Sequence, residues 1–158
     1  MPSPNTDFSS GQVLTAAAQN KFPRGIIALA TSSTNYTLTT SAVIATGMTV
    51  TFIPVANRYY KITYIEPQAG TPAVAGGFTT ATIRLTSATG TQLAQSVIQT
   101  SAASSIGGSV ICQYLYSGSA VSTTIVGCGA TSSTTGAPVF TRGATNLASL
   151  LVEDIGPV

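Results

Sequence analysis

The chain has 158 residues, 44% of them apolar, with 6 Lys and Arg against 4 Asp and Glu and no histidine. That length is one domain's worth of chain and enough to bury a core. A net charge of +2 with Lys21, Arg24, Lys61 and Arg142 scattered leaves no basic footprint for nucleic acid, and the missing histidine removes imidazole-based nucleophilic catalysis.

Charged residues make up 6% of the chain, against about 25% in a typical soluble domain. Hydroxyls take their place, with 18 Ser and 26 Thr. Threonine is β-branched and suits the exposed positions of a strand, so the composition points to an all-β chain. A surface so poor in charge guards weakly against association, which suits a protein that works inside an assembly.

Residues 1–25 read as a separate N-terminal arm. Pro2 and Pro4 give an extended start. Thr15 is a good N-cap for a short helix over Ala16–Asn20, and Pro23 stops it. So short a helix is unstable alone, and Val13, Leu14 and Phe22 give it an apolar side that needs a surface to rest on. The start MPSPNTDFSS lacks the basic and apolar regions of a signal peptide. No apolar run reaches the roughly 18 residues of a membrane span. Synthesis in a cytoplasm, without membrane association, is therefore expected.

From residue 26 to 158 short strands alternate with turns. Ile26–Ala30 is a fully apolar run that reads as a buried strand, and Tyr36–Thr39 alternates. Met48–Pro67 holds two alternating runs separated by Pro54 and an Asn57-Arg58 turn, which reads as an antiparallel hairpin. In its second run Tyr60, Ile62 and Tyr64 share one face. Residues 68–77 read as a Gly- and Pro-rich loop. Thr80–Thr86, with Ala81, Ile83 and Leu85 inward, is followed by a Thr89-Gly90 turn and a less regular strand over Gln92–Thr100. Val110–Tyr116 and Val121–Cys128 are joined by a turn, Pro138–Thr141 is a brief strand, and 147–155 reads as strand over helix. Turn signals about every ten residues give the pattern of an antiparallel β-sandwich or closed barrel of eight or nine strands.

Few residues invite chemistry. Glu66 and Glu153 are the only conceivable acid–base pair of a glycosidase, but Glu66 at a strand end reads as solvated or arginine-paired. Gly76-Gly77 and Gly107-Gly108 lack the strand-to-helix context of a phosphate loop. Glu153-Asp154 reads as a solvated turn rather than a calcium site. Cys112 and Cys128 are too few for zinc; cytosolic synthesis favours free thiols, and a disulfide requires their strands to pair. Tyr59, Tyr60, Tyr64, Tyr114 and Tyr116 read as core and rim residues before they read as a sugar-stacking surface. No enzyme activity, cofactor or metal is expected.

Three segments together carry a resemblance. The arm GQVLTAAAQNKFPRG, of the form G-x-x-L-T-A-A-x-x-N, the central VTFIPVANRYYKITYIEP and the closing LLVEDIGPV resemble small structural virion proteins of tailed bacteriophages. The resemblance implies a non-enzymatic, often oligomeric β-sandwich or jelly roll displayed on the particle. The expected role is a capsid decoration protein that binds the major capsid protein. Its arm, through Leu14, Thr15, Asn20, Phe22, Pro23 and Arg24, would attach it, and a trimer is expected by analogy. The alternative is a tail fibre or baseplate-associated protein that binds a host receptor or glycan.

Overall fold

A computed structural model describes residues 22–118 and 120–157 together with Val13 and Thr15. Ten strands make up its regular structure: β1 (Gly25–Ser32), β2 (Tyr36–Thr37), β3 (Val43–Phe52), β4 (Arg58–Gly70), β5 (Phe78–Leu85), β6 (Gln92–Gln99), β7 (Gly107–Ser117), β8 (Thr123–Thr131), β9 (Val139–Phe140) and β10 (Ala148–Pro157). Among the described residues there is no helix. The helix expected over Ala16–Asn20 lies outside them. Two of the ten strands, β2 and β9, are only two residues long and fall within segments read as strands from the sequence.

The strands form two antiparallel sheets. One has the order β1-β10-β4, with β7 on the other side of β4 and the short β9 and β2 continuing beside the far end of β4; the second has the order β3-β8-β5-β6. The pairings are nested. β5 pairs with β6, β4 with β7, β3 with β8, β2 with β9 and β1 with β10. The chain is thus one long antiparallel ribbon, folded back at the β5–β6 turn and wrapped until β10 meets β4 and β8 meets β5.

Side chains from both sheets meet between them in a sandwich-like core. Tyr60, Ile62, Tyr64, Ala148, Leu150 and Val152 of the first sheet face Met48, Val50, Phe52, Ala81, Ile83 and Ile125 of the second. At this size aliphatic and aromatic burial supplies most of the stabilisation, at about 25 cal/mol per Å2 of apolar surface removed from water.

The predicted hairpin over Met48–Pro67 is corrected. Both of its strands exist, but β3 belongs to one sheet and β4 to the other. Pro54 ends the ladder, Asn57 takes a left-handed conformation (φ 59°), and the link carries the chain across the core. Phe52 and Tyr60 then face each other from opposite layers, with ring centroids 5.3 Å apart. The Tyr60 hydroxyl accepts the Val55 N–H at 2.7 Å and ties the link down. Alternation tells which residues share a core; it does not tell which strand lies alongside.

Two further expectations change. β4 runs past Pro67 to Gly70 instead of entering a loop, because a register shift between Glu66 and Ala69 leaves the proline out of the regular ladder. Ile26–Ala30 is a strand, but it lies at a sheet edge with Ile26, Ile27 and Leu29 exposed. The closing segment is a strand, as read from the sequence.

The second sheet makes room for large rings by placing glycine beneath them. An added Cβ on Gly129 would sit 2.5 Å from Phe140 Cε2 and 2.7 Å from Leu38 Cδ2, and one on Gly127 would sit 2.9 Å from the Tyr64 ring. Phe140, Leu38 and Tyr64 are fully buried, so none can swing away. Gly129→Ala is expected to destabilise the fold by about 1–3 kcal/mol through overpacking, read as a lower urea midpoint at unchanged m-value.

Candidate attachment site at the root of the N-terminal arm

The arm joins the sandwich at a buried ion pair. Arg58 opens β4 on the same face as Tyr60 and Ile62, and Asp154 lies on β10 in phase with Leu150 and Val152, so both point inward at one end of the core. The guanidinium grips the carboxylate with two bonds: Arg58 Nε donates to Asp154 Oδ2 and Nη2 to Oδ1, each at 2.7 Å. The Gly156 N–H adds a third bond to Oδ1 at 3.0 Å. Nη2 also donates to the Phe22 carbonyl at 2.6 Å, so the same guanidinium holds the arm's backbone. Arg24 brings a second cation to within 4.0 Å of Asp154 Oδ2. Between Arg24 and Ile26, Gly25 turns the chain into β1 at φ +73°, a conformation that favours glycine.

Of the residues predicted to attach the arm, Phe22, Pro23 and Arg24 come together at this end of the sandwich. Phe22 is partly exposed, and Pro23 and Arg24 are exposed. Thr15 is exposed, and Val13 beside it is 81% exposed. Leu14 and Asn20 lie outside the described residues. The sequence reading missed Arg58 and Asp154, the residues that hold the root. Asp154 had been read as part of a solvated turn; it is buried because its strand position faces the core.

A second cluster closes the core further along β4. Glu66 and Arg142 are both fully buried and form a bidentate pair, with Arg142 Nε at 3.0 Å from Glu66 Oε2 and Nη2 bonded to Oε1. The Tyr64 hydroxyl donates to the same Oε1. Arg142 Nη1 donates to the carbonyls of Thr46 at 2.8 Å and Thr34 at 3.2 Å, and the Arg142 N–H to Asn35 Oδ1 at 2.7 Å. One side chain thereby ties the β1–β2 link, the irregular part of β3 and the end of β4 to the loop before β10. Burial, and then the neighbouring Glu66 charge, push the Tyr64 hydroxyl well above its usual pKa, so it stays a neutral donor.

The remaining described charges are also engaged. Lys61 and Glu153 pair across β4 and β10 at 3.7 Å, and Arg84 donates to the Gly90 carbonyl at 3.0 Å and to Gln92 Oε1 at 2.8 Å. Few charges exist in the chain, and each of those described has a partner within it.

Among the described residues no three His, Cys, Asp or Glu side chains gather in a metal-binding group. Two shallow, open depressions of about 280 and 420 Å3 are lined by Lys61, Gln113, Tyr114, Leu115 and Ile155, and by Gly76, Gln99, Thr100 and Ser101. Tyr60 and Tyr64 are buried, and Tyr114 and Tyr116 pack against the core. Cys112 and Cys128 are free, buried and on strands of different sheets. Burial pushes both thiols from 9.0 to about 11. No model of a known protein family matches the chain, and no curated protein matches it significantly.

Two outcomes follow from these clusters. Arg142→Met leaves Glu66 buried without its cation and strands two carbonyls, and is expected to cost about 3–5 kcal/mol in chemical denaturation. The second concerns alkaline pH. A thiol whose pKa is raised in the folded state deprotonates more readily once unfolded, so its contribution is whole below pH 9.0 and lost by about pH 11. Urea midpoints are expected to fall over that interval. In Cys112→Ala/Cys128→Ala most of that fall disappears, leaving the contributions of Tyr36 and Tyr64, both raised by burial, above about pH 10.

Proposed function

We propose that this chain is a non-enzymatic structural protein of a tailed-bacteriophage particle, a capsid decoration protein that attaches to the major capsid protein through its N-terminal arm. The strand order carries the reading. Eight long strands divide into sheets β1-β10-β4-β7 and β3-β8-β5-β6, and their nested pairing is that of a jelly roll, an architecture recurrent in viral capsid and lectin domains. Fold alone does not assign a function. The reading gains support from the resemblance of the arm, the centre and the closing segment to small virion proteins, and from a surface whose few charges are paired.

The arm is the attachment element in this proposal. Its root is fastened by Arg58 to a rigid end of the sandwich, so a grip on the arm is passed to the domain. Particle assembly then needs no active site, cofactor or metal, and copies of the domain meet one another as a homo-oligomer on the virion. The alternative of a tail appendage that stacks host glycans draws less support, because four of its five candidate tyrosines are buried or packed against the core.

Quantitative mass spectrometry of purified particles tests the reading. A decoration protein is expected in near-stoichiometric amount with the major capsid protein, whereas a few copies per particle mean a tail component and absence means neither. Deleting residues 1–24 is expected to abolish incorporation while the sandwich stays folded; undiminished incorporation of the folded, shortened chain would remove the arm from the proposal.

A further inference from the structure

The two outer faces of the sandwich differ in chemistry. On the second sheet the outward positions include Thr49, Thr51 and Thr124, and the Thr51 and Thr124 hydroxyls bond to each other at 2.9 Å. The first sheet carries more aliphatic side chains. Three outward rows cross it in register: Leu29–Leu151–Thr63–Gln113, Thr31–Ser149–Ile65–Ile111 and Ile26–Glu153–Lys61–Leu115. Ile26, Leu29, Ile111 and Leu115 are 58, 56, 53 and 53% exposed, and Ile155 adds to them at 44%. A contiguous apolar face of this kind marks an interaction surface.

We infer that the outer face of the β1-β10-β4-β7 sheet is the contact between two copies of this chain, packed back to back about a two-fold axis. Charge selects the occupant. The charged side chains in those rows, Lys61 and Glu153, neutralise each other at 3.7 Å. A partner of either net charge meets no counter-charge there, whereas a second copy is equally uncharged. A two-fold axis lying between the two faces, parallel to the strands and midway between β10 and β4, sets Lys61 of one copy against Glu153 of the other, so the charged pair is its own complement. The strand twist suits aligned packing of two such sheets.

Area sets the strength. Four strands about 4.8 Å apart, paired over about eight residues, give a face of roughly 19 by 27 Å, or about 500 Å2. A standard interface covers about 800 Å2 per partner, so this one belongs among the weaker, reversible contacts. The result is an isologous pair, not the trimer expected by analogy, and it does not depend on the virion reading.

Sedimentation equilibrium of the full chain from about 1 to 200 μM, the range in which a Kd of this class is read, tests the inference. A concentration-dependent dimer is expected. Lys61→Glu and Glu153→Lys each place like charges together within and between copies, and each is expected to raise the Kd at least about tenfold. The double exchange Lys61→Glu/Glu153→Lys restores both pairings and is expected to restore the dimer. Hydroxyl-radical footprinting of the unaltered chain reads the same contact without a variant, with Leu29, Ile111 and Leu115 labelling less at the high concentration. A chain that stays monomeric throughout, a dimer indifferent to the single reversals, or labelling that does not change with concentration overturns the inference.

Discussion

The buried Arg142–Glu66 pair is the constraint on which much of this fold depends. Taking two charges out of water costs several kcal/mol per ion, and the cost is offset only where geometry and extra hydrogen bonds are good. Here the carboxylate also accepts from Tyr64 and the guanidinium also donates to the Thr46 and Thr34 carbonyls. Those carbonyls belong to irregular segments that no ladder pairs. The ion pair therefore does in the links what strand pairing does in the sheets. It also fixes the Tyr64 ring against Gly127 of the facing sheet.

The Arg58–Asp154 pair repeats this chemistry nearer the arm, with one difference. Its spare donor reaches the arm's backbone at Phe22, not a loop of the domain. A carbonyl contact is indifferent to side-chain identity, so it fixes the path of the chain into β1 without dictating which residue stands at position 22. With the described charges drawn into such internal bonds, the outside of the molecule is left to threonine on one face and to leucine and isoleucine on the other. The low charge of the composition and the apolar outer face are two sides of one arrangement.

Much of the fold was legible because alternation and turn chemistry are local. The inward positions of Tyr60, Ile62 and Tyr64, the turn near Gly90, the strands around Ile83 and Val110 and the free cysteines could all be read from the residues. Pairing could not. β3 and β4 are adjacent in sequence and alternate cleanly, but their partners lie far along the chain, at β8, β7 and β10. The root of the arm was legible in part. Arg58 and Asp154 sit in phase with the core residues of their own strands, a position a charge occupies only when it has a partner inside. That phase was the available signal, and the habit of placing charges in water hid it. Ile26–Ala30 misled in the opposite direction, since a run with the look of a doubly buried strand lies at an edge in the single chain.

The nested pairing of the ribbon orders the work of folding. The innermost strands β5 and β6 are joined by six residues, Thr86–Thr91, so they meet at small entropic cost; each pair outside them closes a longer loop, though the extra cost grows only with the logarithm of its length. A chain leaving the ribosome has its middle hairpin early, while β1, made first among the strands, waits for β10, made last. Until then its backbone N–H and C=O groups have no ladder to join. The first strand of the domain is thus the last to be sheltered, and its greatest exposure to misassociation falls during synthesis.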